Sequence, residues 1–123
     1  MRIMLIDDSK TMRGIQRGML KMVGLREVEE ACDGIDALAK VDRFNPDLLI
    51  VDRDMPDMDG LAFTKAYRAQ GGSALILLVL AESQKADSAE AIHAGVTNTI
   101  VKPFTPDILA QRIKETLDRN AAA

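Results

Sequence analysis

Leu48-Leu49-Ile50-Val51-Asp52-Arg53-Asp54-Met55-Pro56-Asp57-Met58-Asp59-Gly60 is an apolar run that ends abruptly in acid and turn chemistry. Four consecutive aliphatic residues without polar alternation predict a central strand covered on both faces. The stretch from Asp52 to Gly60 reads as a loop, and Leu61 to Gln70 as a helix. Beyond the loop Gly71-Gly72-Ser73, the run Leu75 to Leu80 is the longest apolar segment and predicts a second buried strand. Upstream, Asn45-Pro46 ends a helix whose stripe is Ile35, Leu38 and Val41.

The same alternation extends to both ends of the chain. Ile3 to Ile6 is a first strand. Ser9 or Thr11 then caps a helix with Met12, Ile15, Met19, Leu20 and Val23 on its inward face, stopped by Gly24. Glu27 to Ala31 alternates acid with small or apolar residues, which suits a sheet edge, and Asp33-Gly34 makes a turn. A helix over Ala86 to Ala94 carries few large apolar side chains and should pack lightly. Thr97 to Val101 is the last strand. Thr105-Pro106-Asp107 opens a C-terminal helix with Ile108, Leu109, Ile113 and Leu117 facing the core, and the tail Ala121-Ala122-Ala123 should fray. The order βαβαβαβαβα predicts an α/β fold with a five-stranded parallel sheet, doubly wound as (βα)5. Right-handed crossovers lay such a chain into a parallel sheet with helices on both faces. The common small version has strand order 2-1-3-4-5, with ligands beyond the C-terminal ends of strands 1 and 3.

Composition bounds the function. The 123 residues are the size of one domain, taken here as 1–123, and Met1 with the alanine tail fits a stand-alone protein. With 47% hydrophobic but only 3% aromatic residues, the core must be aliphatic. A net charge of −3 leaves no basic footprint for nucleic acid or an anionic membrane. No run approaches the ~18 apolar residues of a membrane span, so the cytoplasm is the expected compartment. Cys32 is the only cysteine, which excludes an intramolecular disulfide, and it reads as a small half-buried residue beside a turn. His93 reads as a surface side chain. Met4, Met55 and Met58 read as packing rather than a cofactor box.

The chemistry gathers at the strand ends. Strand 1 runs into Asp7-Asp8, strand 3 into Asp52, strand 4 into Leu80 and strand 5 into Lys102. Alone, an Asp-Asp pair is a solvated turn or a helix cap, and a Lys-Pro is a loop. Together, three carboxylates at adjacent strand ends repel one another unless a cation lies between them. Hard oxygen donors at an open crevice suit Mg²⁺, which keeps several waters. A lysine opposite can meet a phosphoryl oxygen. Nucleophile, cation and ammonium are what phosphoryl transfer needs, and a carboxylate nucleophile yields an acyl phosphate.

Asp7-Asp8-Ser9, Val51 through Gly60, and Val101-Lys102-Pro103-Phe104 resemble the three signature blocks of response-regulator receivers, and the resemblance covers essentially the whole chain. Thr11-Met12-Arg13 and Val28 through Gly34 are most similar to the CheY-like, chemotaxis branch. The resemblance implies Asp52 as phospho-acceptor, Asp8 and Asp52 as metal ligands, Asp7 acting through water, and the Asp54 backbone carbonyl as a further ligand. It also implies Lys102 bound to the phosphoryl group, a cis Lys102-Pro103 peptide, and tuning roles for Asp54 and Glu82. The implied partners are a sensor histidine kinase or phosphotransfer protein and a downstream protein target. Two positions depart from the pattern. The hydroxyl residue at the end of strand 4 is Leu80, and the aromatic residue three before the lysine is Thr99. Ser83 and Thr99 are candidate stand-in hydroxyls, but neither occupies the matching position.

The alternative is a degenerate receiver acting as a phosphorylation-independent interaction module, controlled by a partner or by a homodimer through the last two helices. Asp52-Arg53-Asp54 also suggests a haloacid-dehalogenase-type hydrolase, but that class needs its Asp-x-Asp after the first strand and more chain than this. A flavin carrier is disfavoured by an acidic loop where a phosphate cradle belongs.

Overall fold

The computed structural model describes residues 1–122, with side chains through Arg119. Five strands, β1 (Arg2–Ile6), β2 (Glu27–Ala31), β3 (Leu48–Asp52), β4 (Leu75–Leu80) and β5 (Asn98–Val101), form one parallel sheet in the order β2-β1-β3-β4-β5. The helices between them are α1 (Lys10–Met22), α2 (Gly34–Phe44), α3 (Gly60–Ala69), α4 (Ser88–Ala94) and α5 (Pro106–Ala122). This is the doubly wound order expected from the alternation.

The period-2 geometry of the strands sorts the aliphatic residues into two cores. Met4, Ile6, Leu49, Val51, Ile76, Leu78 and Leu80 pack with Ala37 and Val41 of α2, Phe63 and Tyr67 of α3, and Ala91 of α4. Ile3, Leu5, Leu48, Ile50, Leu77 and Val79 pack with Leu20 of α1 and with Leu109 and Ile113 of α5. Every residue of β3 and β4 is buried, which is why these two strands carry no polar alternation.

Several details correct the expectations. Ile15, Ile35, Ile108 and Leu117 are exposed rather than inward. In α1 the inward row is Gln16 and Leu20, at i and i+4, and Ile15 is turned about 100° away from it. Cys32 is exposed, because it follows the edge strand β2. The segment expected to begin a helix at Ala86 instead starts with a 3₁₀ turn, Glu82–Asp87, and becomes α-helical at Ser88. The last strand begins at Asn98, one residue later than expected. Of the tail expected to fray, α5 includes Ala121 and Ala122, and Ala123 lies outside the described residues.

Caps match the local chemistry. Ser9 accepts from the Met12 amide, Asp33 from that of Asp36 and Asp59 from that of Ala62. Asn45 closes α2 in the left-handed region at φ 53°. No helix among the described residues is long and apolar enough to cross a membrane.

Candidate functional site

The C-terminal ends of β1, β3 and β5 converge on one crevice. Asp7 follows the last residue of β1, where its amide donates to the Ala31 carbonyl at 3.2 Å. Arg13 of α1 braces this corner, donating to the Asp7 carbonyl and, at 3.0 Å, to Glu30 of β2. The Ser9 amide donates to the Asp7 carboxylate at 2.8 Å, which fixes its rotamer. Asp52 is the last residue of β3, and the next amide, Arg53, donates to Val79 of β4 at 3.0 Å. Lys102 follows β5, is held by its amide to Leu80 at 2.9 Å, and directs its Nζ to within 3.5 Å of the Asp52 carboxylate. The Lys102–Pro103 peptide is cis.

Gly60 sets the shape of the loop below the crevice. A Cβ there would lie 2.6 Å from the Asp52 carbonyl oxygen and 2.9 Å from the Arg53 Cα, so only glycine lets α3 start this close to the end of β3. Asp57 turns the loop at φ 67°, a conformation that Asp tolerates better than most residues.

Carboxylate oxygens of Asp7, Asp8 and Asp52 lie within 4.8 Å of one another. Asp7 and Asp52 are buried, while Asp8 is exposed. Burial, then the Asp7 charge, pushes the Asp52 carboxyl up to about 6, against the pull of Lys102 and the Asp54 backbone amide. Burial also raises Asp7, opposed by the Ser9 hydrogen bond and reinforced by Asp8. Part of each shift is repulsion between neighbouring carboxylates, Asp7 on Asp52 and Asp8 on Asp7, which a cation among the three would relieve. One exposed and two buried oxygen donors, opening onto a groove lined by Asp8, Asp54, Met55, Pro56 and Asp59, fit a hydrated Mg²⁺.

The remaining predicted positions lie on β4 and β5, in the turn after β4 and in the loop after β3. Leu80 has no exposed surface and packs in the core beneath α4. Thr99 is half-buried, with its hydroxyl 3.5 Å from that of Ser88. Glu82 and Ser83 are exposed in the 3₁₀ turn. Asp54 is 57% exposed and accepts a 2.7 Å hydrogen bond from Gln84. Sequence reasoning missed Arg53, which lies 3.4 Å from Asp87, and it missed Gln84 and the bracing Arg13. Strand-end counting could have flagged Arg53 as the neighbour of Asp52, but nothing in the sequence marks its partner across the turn.

Acidic strand ends facing a lysine on a 2-1-3-4-5 sheet define a receiver-type signalling domain. Residues 3–114 match the response regulator receiver domain family, and the chain belongs to it. Among its relatives, chemotaxis protein CheY1 of Helicobacter pylori J99 is 40% identical over 98% of this chain and 99% of its own length. Chemotaxis protein CheY of Pseudomonas aeruginosa is 36% identical over 97% and 98%. The solved structure of chemotaxis protein CheY4 from Vibrio cholerae superimposes with a TM-score of 0.85 at 34% identity, covering 94% of this chain and 97% of that one.

Proposed function

We propose that this receiver is a phospho-accepting switch of a two-component system, taking its phosphoryl group on Asp52 from a histidine kinase or phosphotransfer protein. The observation that carries the reading is Asp52 itself, a buried strand-end carboxylate clustered with Asp7 and Asp8 and faced by Lys102 at 3.5 Å. With its carboxyl at about 6, Asp52 is ionised at neutral pH and can attack a phosphorus atom. The Asp52 oxygen forms the new bond to phosphorus while the donor's nitrogen or oxygen leaves with the old one. Lys102 supplies positive charge to the transferred group, and Arg13 and Ser9 keep Asp7 oriented. Asp7, Asp8, Asp52 and the Asp54 carbonyl would hold Mg²⁺, which when bound neutralises charge on the phosphoryl oxygens. The chain acts on no substrate beyond its own phosphorylation and dephosphorylation, in the cytoplasm, and its relatives' names point to chemotaxis as the pathway.

A second reading, a phosphorylation-independent binding module, is favoured by one feature. Leu80 is wholly buried where the family pattern has a hydroxyl, which removes a group that would hold the phosphoryl oxygens. Ile92 of α4 and Ile108 of α5, each 45% exposed, would contribute to a partner or homodimer surface in either reading. Incubation with acetyl phosphate, with and without Mg²⁺, separates the two. Metal-dependent gain of one phosphoryl group supports the switch, and its absence in both samples supports the module.

A further inference from the structure

Two loops border the crevice mouth, residues 53–59 after β3 and the 3₁₀ turn Glu82–Asp87 after β4. Side chains tie them together. The Gln84 amide nitrogen donates to the Asp54 carboxylate at 2.7 Å, while its oxygen accepts from the Ala81 amide at 2.8 Å. The Arg53 guanidinium lies 3.4 Å from Asp87 and 3.5 Å from Asp54. The turn buries none of its residues, and α4 buries only Ala91. With so little apolar anchorage, the polar ties weigh heavily in where residues 82–94 sit.

We infer that these ties form a latch, with Gln84 and Asp87 holding the 82–94 segment on the Arg53–Asp54 pair until a phosphoryl group on Asp52 releases it. The inference rests on Asp52 being the acceptor. Arg53 and Asp54 are the next two residues in the chain, each step being about 3.8 Å between Cα atoms. An acyl phosphate at Asp52 carries close to two negative charges where the ionised carboxylate carried one, a gain of about one. That charge repels the Asp54 carboxylate from its place opposite Gln84 and draws the Arg53 guanidinium away from Asp87. The Arg53 Nε is buried without a hydrogen-bond partner among the described residues, so this side chain has a donor to offer a new acceptor. Both displacements loosen the same segment. The device needs neither a hydroxyl at Leu80 nor an aromatic ring at Thr99.

Amide hydrogen exchange on the full chain tests the latch, with beryllofluoride and Mg²⁺ as the phosphoryl mimic and fluorine NMR to score its binding. Without the mimic, Gln84→Ala should speed exchange at the Ala81 amide about three- to tenfold, the loss typical of one hydrogen bond. Gln84→Glu keeps an acceptor for that amide but sets a like charge against Asp54. Ala81 should then stay protected while the amides of α4 speed up. Loading the parent should accelerate α4 beyond unloaded Gln84→Glu, in which the Arg53–Asp87 tie persists. Loading Gln84→Glu combined with Asp87→Ala, which lacks both ties, should add less than about twofold. Unchanged α4 exchange in unloaded Gln84→Glu, or a bound mimic that leaves α4 protected in the parent, overturns the latch. No fluorine signal from bound mimic overturns the acceptor role of Asp52 and the release step with it.

Discussion

Replacing Asp52 by Asn should stabilise the metal-free protein, and the gain should grow with pH. In the folded chain the Asp52 carboxyl sits at about 6 instead of its ordinary 3.8, because it is buried and faces Asp7. Between those two values the folded state keeps a proton that the unfolded chain has lost, so stability falls as pH rises through this window and levels off above the folded value. At 1.36 kcal/mol per pH unit, the full penalty is about 3 kcal/mol at pH 8 and roughly half of that at pH 5. Lys102 already offsets part of the burial, so this figure is net of its attraction. Asn keeps the size of Asp and never ionises, so the variant escapes the penalty. Urea unfolding in EDTA at pH 5 and pH 8 measures the difference. Mg²⁺ should narrow or invert the gap, since a ligand of the folded state stabilises the parent in proportion to its affinity. Equal stabilities at pH 8 without metal, or a gap that shrinks as pH rises, would refute the reasoning.

Three further perturbations follow from the geometry. Leu80→Thr should strengthen beryllofluoride binding about tenfold or more by adding a hydrogen bond to a charged oxygen, at some cost in core stability; equal titration midpoints would count against it. Gly60→Ala forces a Cβ against the backbone of Asp52 and Arg53, and thermal unfolding should show a loss of about 1–3 kcal/mol, whereas an unchanged melting temperature would mean the close approach is dispensable. Asp8→Ala should weaken Mg²⁺ at least about tenfold by calorimetry, yet alter metal-free stability far less than Asp52→Asn, because Asp8 is exposed and Asp52 is not.

What the sequence showed depended on how strongly each element's position was over-determined. The runs Leu48 to Val51 and Leu75 to Leu80 are apolar without interruption because both faces of β3 and β4 are covered, so their burial was legible directly. The proximity of Asp7, Asp8, Asp52 and Lys102 was legible because strand order alone brings strand ends together, and the three carboxylates cluster with Lys102 beside Asp52. The helix faces were read less well. Ile15, Ile35 and Ile108 satisfy a helical period yet point outward, since the period admits a wider stripe than the sheet contacts. The ties of Gln84 and Asp87 to Arg53 and Asp54 were invisible, because they join residues some thirty positions apart through exposed polar side chains that follow no period.

Intact-mass spectrometry after incubation with acetyl phosphate and Mg²⁺, run on the parent and on single Asn variants of Asp52, Asp54 and Asp57, tests the central claim most directly. The account predicts one phosphoryl adduct on the parent and on the Asp54→Asn and Asp57→Asn proteins, and none on Asp52→Asn. An undiminished adduct on Asp52→Asn, or no adduct on the parent, would contradict it.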